Sequence, residues 1–241
     1  MIQIVPVDGL PEIRAGDDLA ALIVEHAELQ DGDVVCVAHK VISKSEGRVV
    51  RLADVEPSQR ARQLAGADGD ARRLEVVLGE AERIVRSRPP LVIAATRHGF
   101  VCASAGVDSS NAPEPDSVVL LPEDPDASAA GLRDELERRT GRRVGVVVTD
   151  TFGRAWRVGI ANVAIGAAGV EVLRDLRGQR DPAGYELHAT VIALADEIAA
   201  AAELAMGKTE RVPVAIVRGL SVAGEGTAKE LVMPAELDLF R

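Results

Sequence analysis

Six short aliphatic runs constrain this chain more than any other feature. They span residues 2–7, 34–38, 91–95, 118–121, 144–148 and 212–217, each four to six residues long and rich in Val and Ile. Runs of that length and branching read as buried strands. Helical periodicity lies between them. The stretch 17–27 follows an Asp-rich start that suits an N-cap. In 72–86, Leu74, Val77, Leu78, Ala81, Ile84 and Val85 recur at i, i+3, i+4 spacing and predict one helix with one apolar face. The stretch 126–140 begins at a capping Asp or Ser and ends just before Gly141. The Ala-rich stretch 189–206 places Val191, Leu194, Ile198 and Ala205 on one stripe. Strands and helices do not alternate strictly, and the Gly-rich stretch 159–169 lacks GxGxxG spacing. The pattern predicts an α+β fold with mixed sheets and helices, as one large domain or two small lobes.

Composition narrows the function. Only five of 241 residues are aromatic, so the core must be built from Ala, Val, Leu and Ile. The net charge of −10 argues against a nucleic-acid binder, which needs a basic footprint. No apolar run reaches the length of a membrane span, and the start MIQIVPVDGLPEI lacks the pattern of a signal peptide. Cys36 and Cys102 sit in apolar runs and read as buried free thiols of a cytoplasmic protein. His26, His39, His98 and His188 show no zinc-ligand spacing.

Four segments carry candidate chemistry. In VGVVVTDTFGRAWR an apolar strand runs into Asp150 and Thr151, then Arg154 and Arg157. A carboxylate and a hydroxyl at a strand end offer oxygens to Mg2+ or Mn2+, and arginines suit a phosphate. The plain alternative is a turn with solvated arginines. In SAGVDSSN, small residues precede Asp108 and Asn111, and Asp108 can join Asp150 in one metal site; the alternative is a surface turn. HKVISKSEGR holds Lys40 and Lys44, two of only four lysines, after a strand; the alternative is an exposed hairpin. AMGKTERVP carries GKT, but position 202 is Ala and a helix precedes it, so a P-loop is rejected. A glycine turn whose backbone N–H groups touch a nucleotide remains.

Taken in order, GLPEI, HKVISKSEGR, AGVDSSN, VVVTDTFGRAWR, GAAGVEVLRDLRGQRDPAGYEL, ADEIAAAAELAMGK and PVAIVRG resemble the coenzyme F(420)-0:L-glutamate ligase family, CofE. The likeness is greatest to the N-terminal ligase half of the two-domain actinobacterial form, FbiB. The resemblance covers essentially the whole chain. It implies a single CofE-like domain over 1–241, two lobes within one ligase unit, and a homodimer. It implies that L-glutamate is joined to the lactyl carboxylate of F(420)-0, and a second glutamate through its γ-carboxyl. GTP is the implied co-substrate, with Mg2+ or Mn2+ and room for K+.

Site residues carry over by position. The resemblance puts Leu10, Pro11, Glu12, Ile13, His39, Lys44 and Asn111 at the GTP, and Asp108, Asp150 and Thr151 at the metal. The loop Met206, Gly207, Lys208, Thr209, Glu210, Arg211, Val212 and Pro213 closes over the nucleotide. Charge and place add Arg154 and Arg157, with Asp150, as catalytic or substrate contacts. Trp156 or Phe152 is a candidate seat for the deazaflavin ring. One departure stands out. Archaeal members often carry an acidic or amide residue at the position of Lys208, where it helps hold a second metal. Either Glu210 substitutes, or that site is weaker, or Lys208 meets a phosphate directly. The flavin-reductase-like domain of the two-domain form is not in this sequence, which ends at Leu239-Phe240-Arg241, about where that linker would begin. The other expectations are an amide ligase for another carboxylate acceptor and a non-catalytic nucleotide-binding module.

Overall fold

A computed structural model describes residues 1–239; the Phe240 and Arg241 end lies outside the described residues. The chain runs β1 (Gln3–Pro6), α1 (Leu19–His26), β2 (Val34–Ala38), α2 (His39–Ser45), β3 (Val49–Arg51), α3 (Gln59–Ala65), α4 (Ala71–Glu80), β4 (Ala81–Arg88), β5 (Leu91–Thr96), β6 (Val101–Ala103), β7 (Ser117–Val119), α5 (Pro125–Thr140), β8 (Gly145–Arg154), β9 (Arg157–Ala168), β10 (Leu173–Asp175), β11 (Val191–Ala193), α6 (Leu194–Met206) and β12 (Val214–Arg218). This is an α+β fold, as the strand and helix pattern predicted.

The main sheet has the order β1-β12-β2-β8-β9. Only β2 and β8 pair in parallel; the other pairs are antiparallel. Residue alternation gives the sheet two apolar faces. Val35, Val37, Val146 and Val148 pack with α1 and α5. Val34, Cys36, Val147 and Ala215 face the other way, onto Leu194, Ile198 and Ala202 of α6. The result is a helix–sheet–helix sandwich. Asp18 caps α1, accepting from the Ala21 N–H at 2.9 Å, and Asp124 caps α5, which ends at left-handed Gly141.

Residues 49–120 build a second core of their own. Leu52, Ala61, Leu74, Val77, Val92, Ala94, Val107 and Val118 form it, from α3, α4 and two small sheets. This lobe meets the main sheet where β6 approaches β8 and β7 approaches α2.

Several expectations change. The helix expected over 72–86 stops at Glu80, and Ala81, Ile84 and Val85 belong to β4, which pairs with β5. The stretch 189–206 begins as β11, so Val191 is a strand residue paired with Asp175. The run at 144–148 is only the start of β8. Its partner β9 carries the strand on to Arg154, so Asp150 and Thr151 lie mid-strand rather than at a strand end or in a turn. The Gly-rich stretch 159–169 is largely β9. Gly166 is needed there because a Cβ would stand 2.2 Å from the Pro125 carbonyl oxygen. The segment from His39 is a helix with buried Lys44, not an exposed hairpin. Both cysteines are buried and free. No helix among the described residues is long and apolar enough to cross a membrane.

Candidate active site

Strand β2 ends at Ala38, paired with Thr149 of β8. Beyond that point β8 continues alone on its β2 side, while the chain from Ala38 turns straight into α2. The polar residues gather at this step in the sheet edge. His39, the first residue of α2, is 2% exposed, and its Nε2 lies 3.3 Å from Asp150 Oδ1. The approach is within ion-pair reach but outside hydrogen-bond geometry, so Nε2 is a buried polar atom without a hydrogen-bond partner. Its Nδ1 lies 3.4 Å from Ser43 Oγ, one helical turn on.

The next residue, Lys40, holds the other carboxylate. Its Nζ stands 2.7 Å from Asp108 Oδ2 and 2.5 Å from Ser110 Oγ. Asp108 comes from the second lobe, bridged to Val119. Burial pushes the Asp108 carboxyl up, but Lys40 and the Ser110 backbone N–H outweigh it and hold the pKa below the ordinary value. Successive residues of one short helix thus bring Asp108 and Asp150 to the lobe junction. Cys102 is there too: burial pushes its thiol up to about 12, and the Asp150 charge adds to that shift.

On the same helix Lys44 is buried, and its Nζ contacts Glu12 Oε1 at 2.5 Å. Glu12 belongs to the loop between β1 and α1. Its neighbours Leu10 and Ile13 pack into the main core, and Pro11 sits exposed between them.

The side chains of Asp150 and Thr151 leave opposite faces of β8, as strand alternation requires. Thr151 points toward α6. Its hydroxyl donates to Asn162 Oδ1 at 2.7 Å and accepts from Lys208 Nζ. Asn162 donates to Glu203 Oε2 at 2.8 Å, and Lys208 Nζ lies 3.0 Å from Glu203 Oε1. Asn162, Glu203 and Ser110 were not singled out from sequence. A lone amide in an aliphatic strand is the available signal for Asn162; Ser110 and Glu203 sit within AGVDSSN and ADEIAAAAELAMGK, which mark the segments but not these residues.

The loop after α6 is tied at both ends. Met206 is a core residue of α6 rather than part of the loop. Gly207 follows with φ 63°, where a Cβ would meet Glu210 Oε2 at 2.0 Å. Glu210 accepts from the Thr209 backbone N–H at 2.7 Å, which with the Thr209 hydroxyl keeps its carboxyl pKa below the ordinary value. Arg211 has φ 61°, Val212 follows it, and Pro213 accepts from the Ala38 N–H at 2.9 Å. The loop end is thereby fixed beside the start of α2.

Asn111 adjoins Ser110, while Arg154 and Arg157 lie apart. Asn111 has φ 54° and lines a hollow of about 480 Å³ with Leu52, Pro113 and Asp116. It lies three residues beyond Asp108, on the second lobe. Arg154 and Arg157 stand at the exposed tip of the β8–β9 hairpin, roughly 13 Å along the strand from Asp150 at about 3.3 Å per residue. Among the described residues the Arg154 guanidinium reaches only the Val158 carbonyl, at 3.5 Å. Trp156 is 82% exposed at that tip, while Phe152 packs edge-on against Phe100, with ring centroids 6.1 Å apart. Phe100 is itself part of the core.

Asp108 and Asp150 bring hard oxygen donors of the class a divalent ion takes. Among the described residues no three His, Cys, Asp or Glu side chains converge on one point. Two carboxylates of different lobes are available, and a hard ion such as Mg2+ uses one or two carboxylates and fills its shell with phosphate oxygens and water.

A family model described as F(420)-0:gamma-glutamyl ligase matches residues 9–219, nearly the whole chain and all of the site. The chain belongs to the F(420)-0:gamma-glutamyl ligase family. It is an enzyme of the ligase class by that membership. Similar proteins carry the name coenzyme F(420):L-glutamate ligase. The one from Methanopyrus kandleri is 49% identical over 100% of this chain and 98% of its own length. Those from Archaeoglobus fulgidus and Methanothermobacter thermautotrophicus are 46% and 41% identical, over 100% of this chain and 96% and 99% of theirs. The likeness to this ligase family therefore spans both lobes and the junction between them.

Proposed function

We propose that the chain joins L-glutamate to the lactyl carboxylate of F(420)-0 at the expense of GTP, with Mg2+ or Mn2+, and then adds a second glutamate through its γ-carboxyl. The observation that carries this reading is the gathering of cations and carboxylates around α2. Lys44–Glu12, Lys40–Asp108 and His39–Asp150 line one side of β8, and Lys208 lies on the other. Such a site accepts a polyphosphate with its metal at little electrostatic cost, because phosphates can pair with the lysines and the metal with the carboxylates.

Asp108 and Asp150 would hold the divalent ion, which supplies charge neutralisation at the phosphates. Thr151 would join them through its backbone oxygen. Its own N–H turns to Asp150 Oδ1 at 2.6 Å, away from β9, and the N–H and C=O of one strand residue share an edge. The reaction then needs positioning more than covalent help. The acceptor carboxylate oxygen attacks the γ-phosphorus, the bond to GDP breaks, and an acyl phosphate forms. The glutamate amine attacks the acyl carbon, phosphate leaves with the bonding pair, and the amine proton passes to solvent. Lys44 and the 207–213 loop hold phosphates, and K+ is a further cation the site would accommodate.

A homodimer belongs to the same proposal. Trp156, Val158 and Ile160 expose apolar surface along the hairpin arm, and a second copy is the natural cover for it.

Mass spectrometry tests the proposal. The protein is incubated with GTP, Mn2+, L-glutamate and F(420)-0, and the product is weighed. A gain of one or two glutamyl units supports it. GTP consumption with another acceptor alone would move the substrate, and binding without turnover would leave a nucleotide-binding module. Asp150→Ala should abolish metal-dependent GTP turnover with the melting transition retained; full activity would remove Asp150 from the metal.

A further inference from the structure

The polar group behind β8 closes on itself. Lys208 donates to Thr151 Oγ1, Thr151 donates to Asn162 Oδ1 at 2.7 Å, Asn162 donates to Glu203 Oε2 at 2.8 Å, and Glu203 Oε1 returns to Lys208 at 3.0 Å. The direction of each bond is settled by chemistry. An ammonium can only donate, so the Thr151 hydroxyl must accept from it and give its own hydrogen to Asn162. The Glu203 carboxylate can only accept, which fixes which way the Asn162 amide faces, and the amide nitrogen also reaches the buried Thr149 hydroxyl at 3.3 Å. Each member comes from a different support: Thr151 from β8, Asn162 from β9, Glu203 from α6, and Lys208 from the loop after it.

The backbone around Lys208 cannot place its ammonium. Residues 207–213 form no helix or strand, and a lysine stem carries much rotamer freedom. The ring removes that freedom before a ligand arrives. It uses two of the three ammonium hydrogens and leaves the third, on a side chain 53% exposed. Thr151 Oγ1 is likewise spoken for, by a positive group, so it is a poor ligand for a metal cation.

We infer that Glu203 and Asn162 are positioning residues that hold Lys208 ready to receive a phosphate oxygen of the nucleotide, and that the Thr151 hydroxyl serves this ring rather than the metal. The inference rests on the reading that a nucleoside triphosphate binds at this junction. Lys208 is then the group that touches ligand, and Glu203 acts only through it.

The experiment is a double-mutant cycle read by calorimetry, titrating guanosine 5'-(β,γ-imido)triphosphate with Mg2+ into the whole chain. Glu203→Gln keeps an acceptor for Asn162 but loses the charge facing Lys208. It should weaken binding roughly tenfold, and Lys208→Met at least as much, as expected for a charge-assisted hydrogen bond. The double variant should bind no more weakly than Lys208→Met alone. A purely structural role for Glu203 would lower affinity equally in both backgrounds, and that result would overturn the inference. Lys208 lies on the exposed loop, so its variants report even where Glu203→Gln does not fold. Unchanged affinity in Lys208→Met would by itself overturn the inference while leaving the nucleotide reading intact. Failure of the unsubstituted protein to bind the probe would overturn both.

Discussion

Glu12→Gln should destabilise the empty protein and tighten its hold on GDP. In the structure Glu12 supplies the counter-charge for a lysine whose side chain is 6% exposed, at 2.5 Å. Coulomb attraction at that distance is about 1.7 kcal/mol at a water-like dielectric and about 6.6 kcal/mol at an effective value near 20. Glu12 itself is 63% exposed, so solvent screening pulls the net worth to the low end, about 1–2 kcal/mol. A chain of this length loses roughly 2–4 °C of Tm per kcal/mol, so the empty variant should melt about 2–8 °C lower. A phosphate seated on Lys44 must displace or share that carboxylate. With the neutral amide in its place, the competition disappears and the ammonium is left needing an anion. GDP with Mg2+ should therefore raise the Tm of the variant by more than it raises that of the unsubstituted protein. Differential scanning fluorimetry with and without GDP measures both shifts. An unchanged Tm for the empty variant, or a smaller GDP shift, would refute the idea that Glu12 and phosphate share one lysine.

Gly207→Ala should weaken nucleotide binding with little change in global melting, because its φ of 63° and ψ of −169° suit glycine and the new Cβ would push Glu210 off Thr209; binding and melting measured together check it. The thiols of Cys36 and Cys102 are both pushed up to about 12, chiefly by burial, so a disulfide reagent at pH 8 should meet about a thousandfold less thiolate than in the unfolded chain. Rapid native reaction of both would contradict their burial. Asp196 is half-buried and accepts from the Ala164 N–H at 2.9 Å, and desolvation raises its pKa. A raised carboxyl favours the fold most below its unfolded value and loses that contribution as pH rises through the folded one. Asp196→Asn should remove this component, so denaturant titrations from pH 4 to 7 should show a flatter stability profile; an unaltered slope would assign the pH dependence elsewhere.

Much of this was written locally. Asp18, Asp124 and Gly141 marked helix ends by chemistry that acts within a turn. The helix stopping at Glu80 was not so marked. Its apolar residues fit helical spacing and 81–88 does not alternate, so pairing with β5, across two register shifts, is what makes it a strand. The same holds for β9, whose glycines weaken a strand signal that β8 restores. At the site, Lys44, His39, Asp108 and Asp150 stood in short motifs. Asn162 stood in none, and Glu203 lay in one unmarked, because each acquires its role only by facing Thr151 or Lys208 in the folded chain.

The second lobe is spliced into the main sheet through neighbouring positions: Val49 faces Val119, and the Leu120 N–H reaches the Arg48 carbonyl at 3.0 Å. It enters and leaves as a hairpin does, so it is a cassette. Shortened to a turn or exchanged between relatives, it would leave the remaining sheet uninterrupted. It would also take Asp108 with it. Half of the carboxylate pair is thus carried by an inserted lobe, so any shift of that lobe against the main sheet changes the spacing of Asp108 from Asp150.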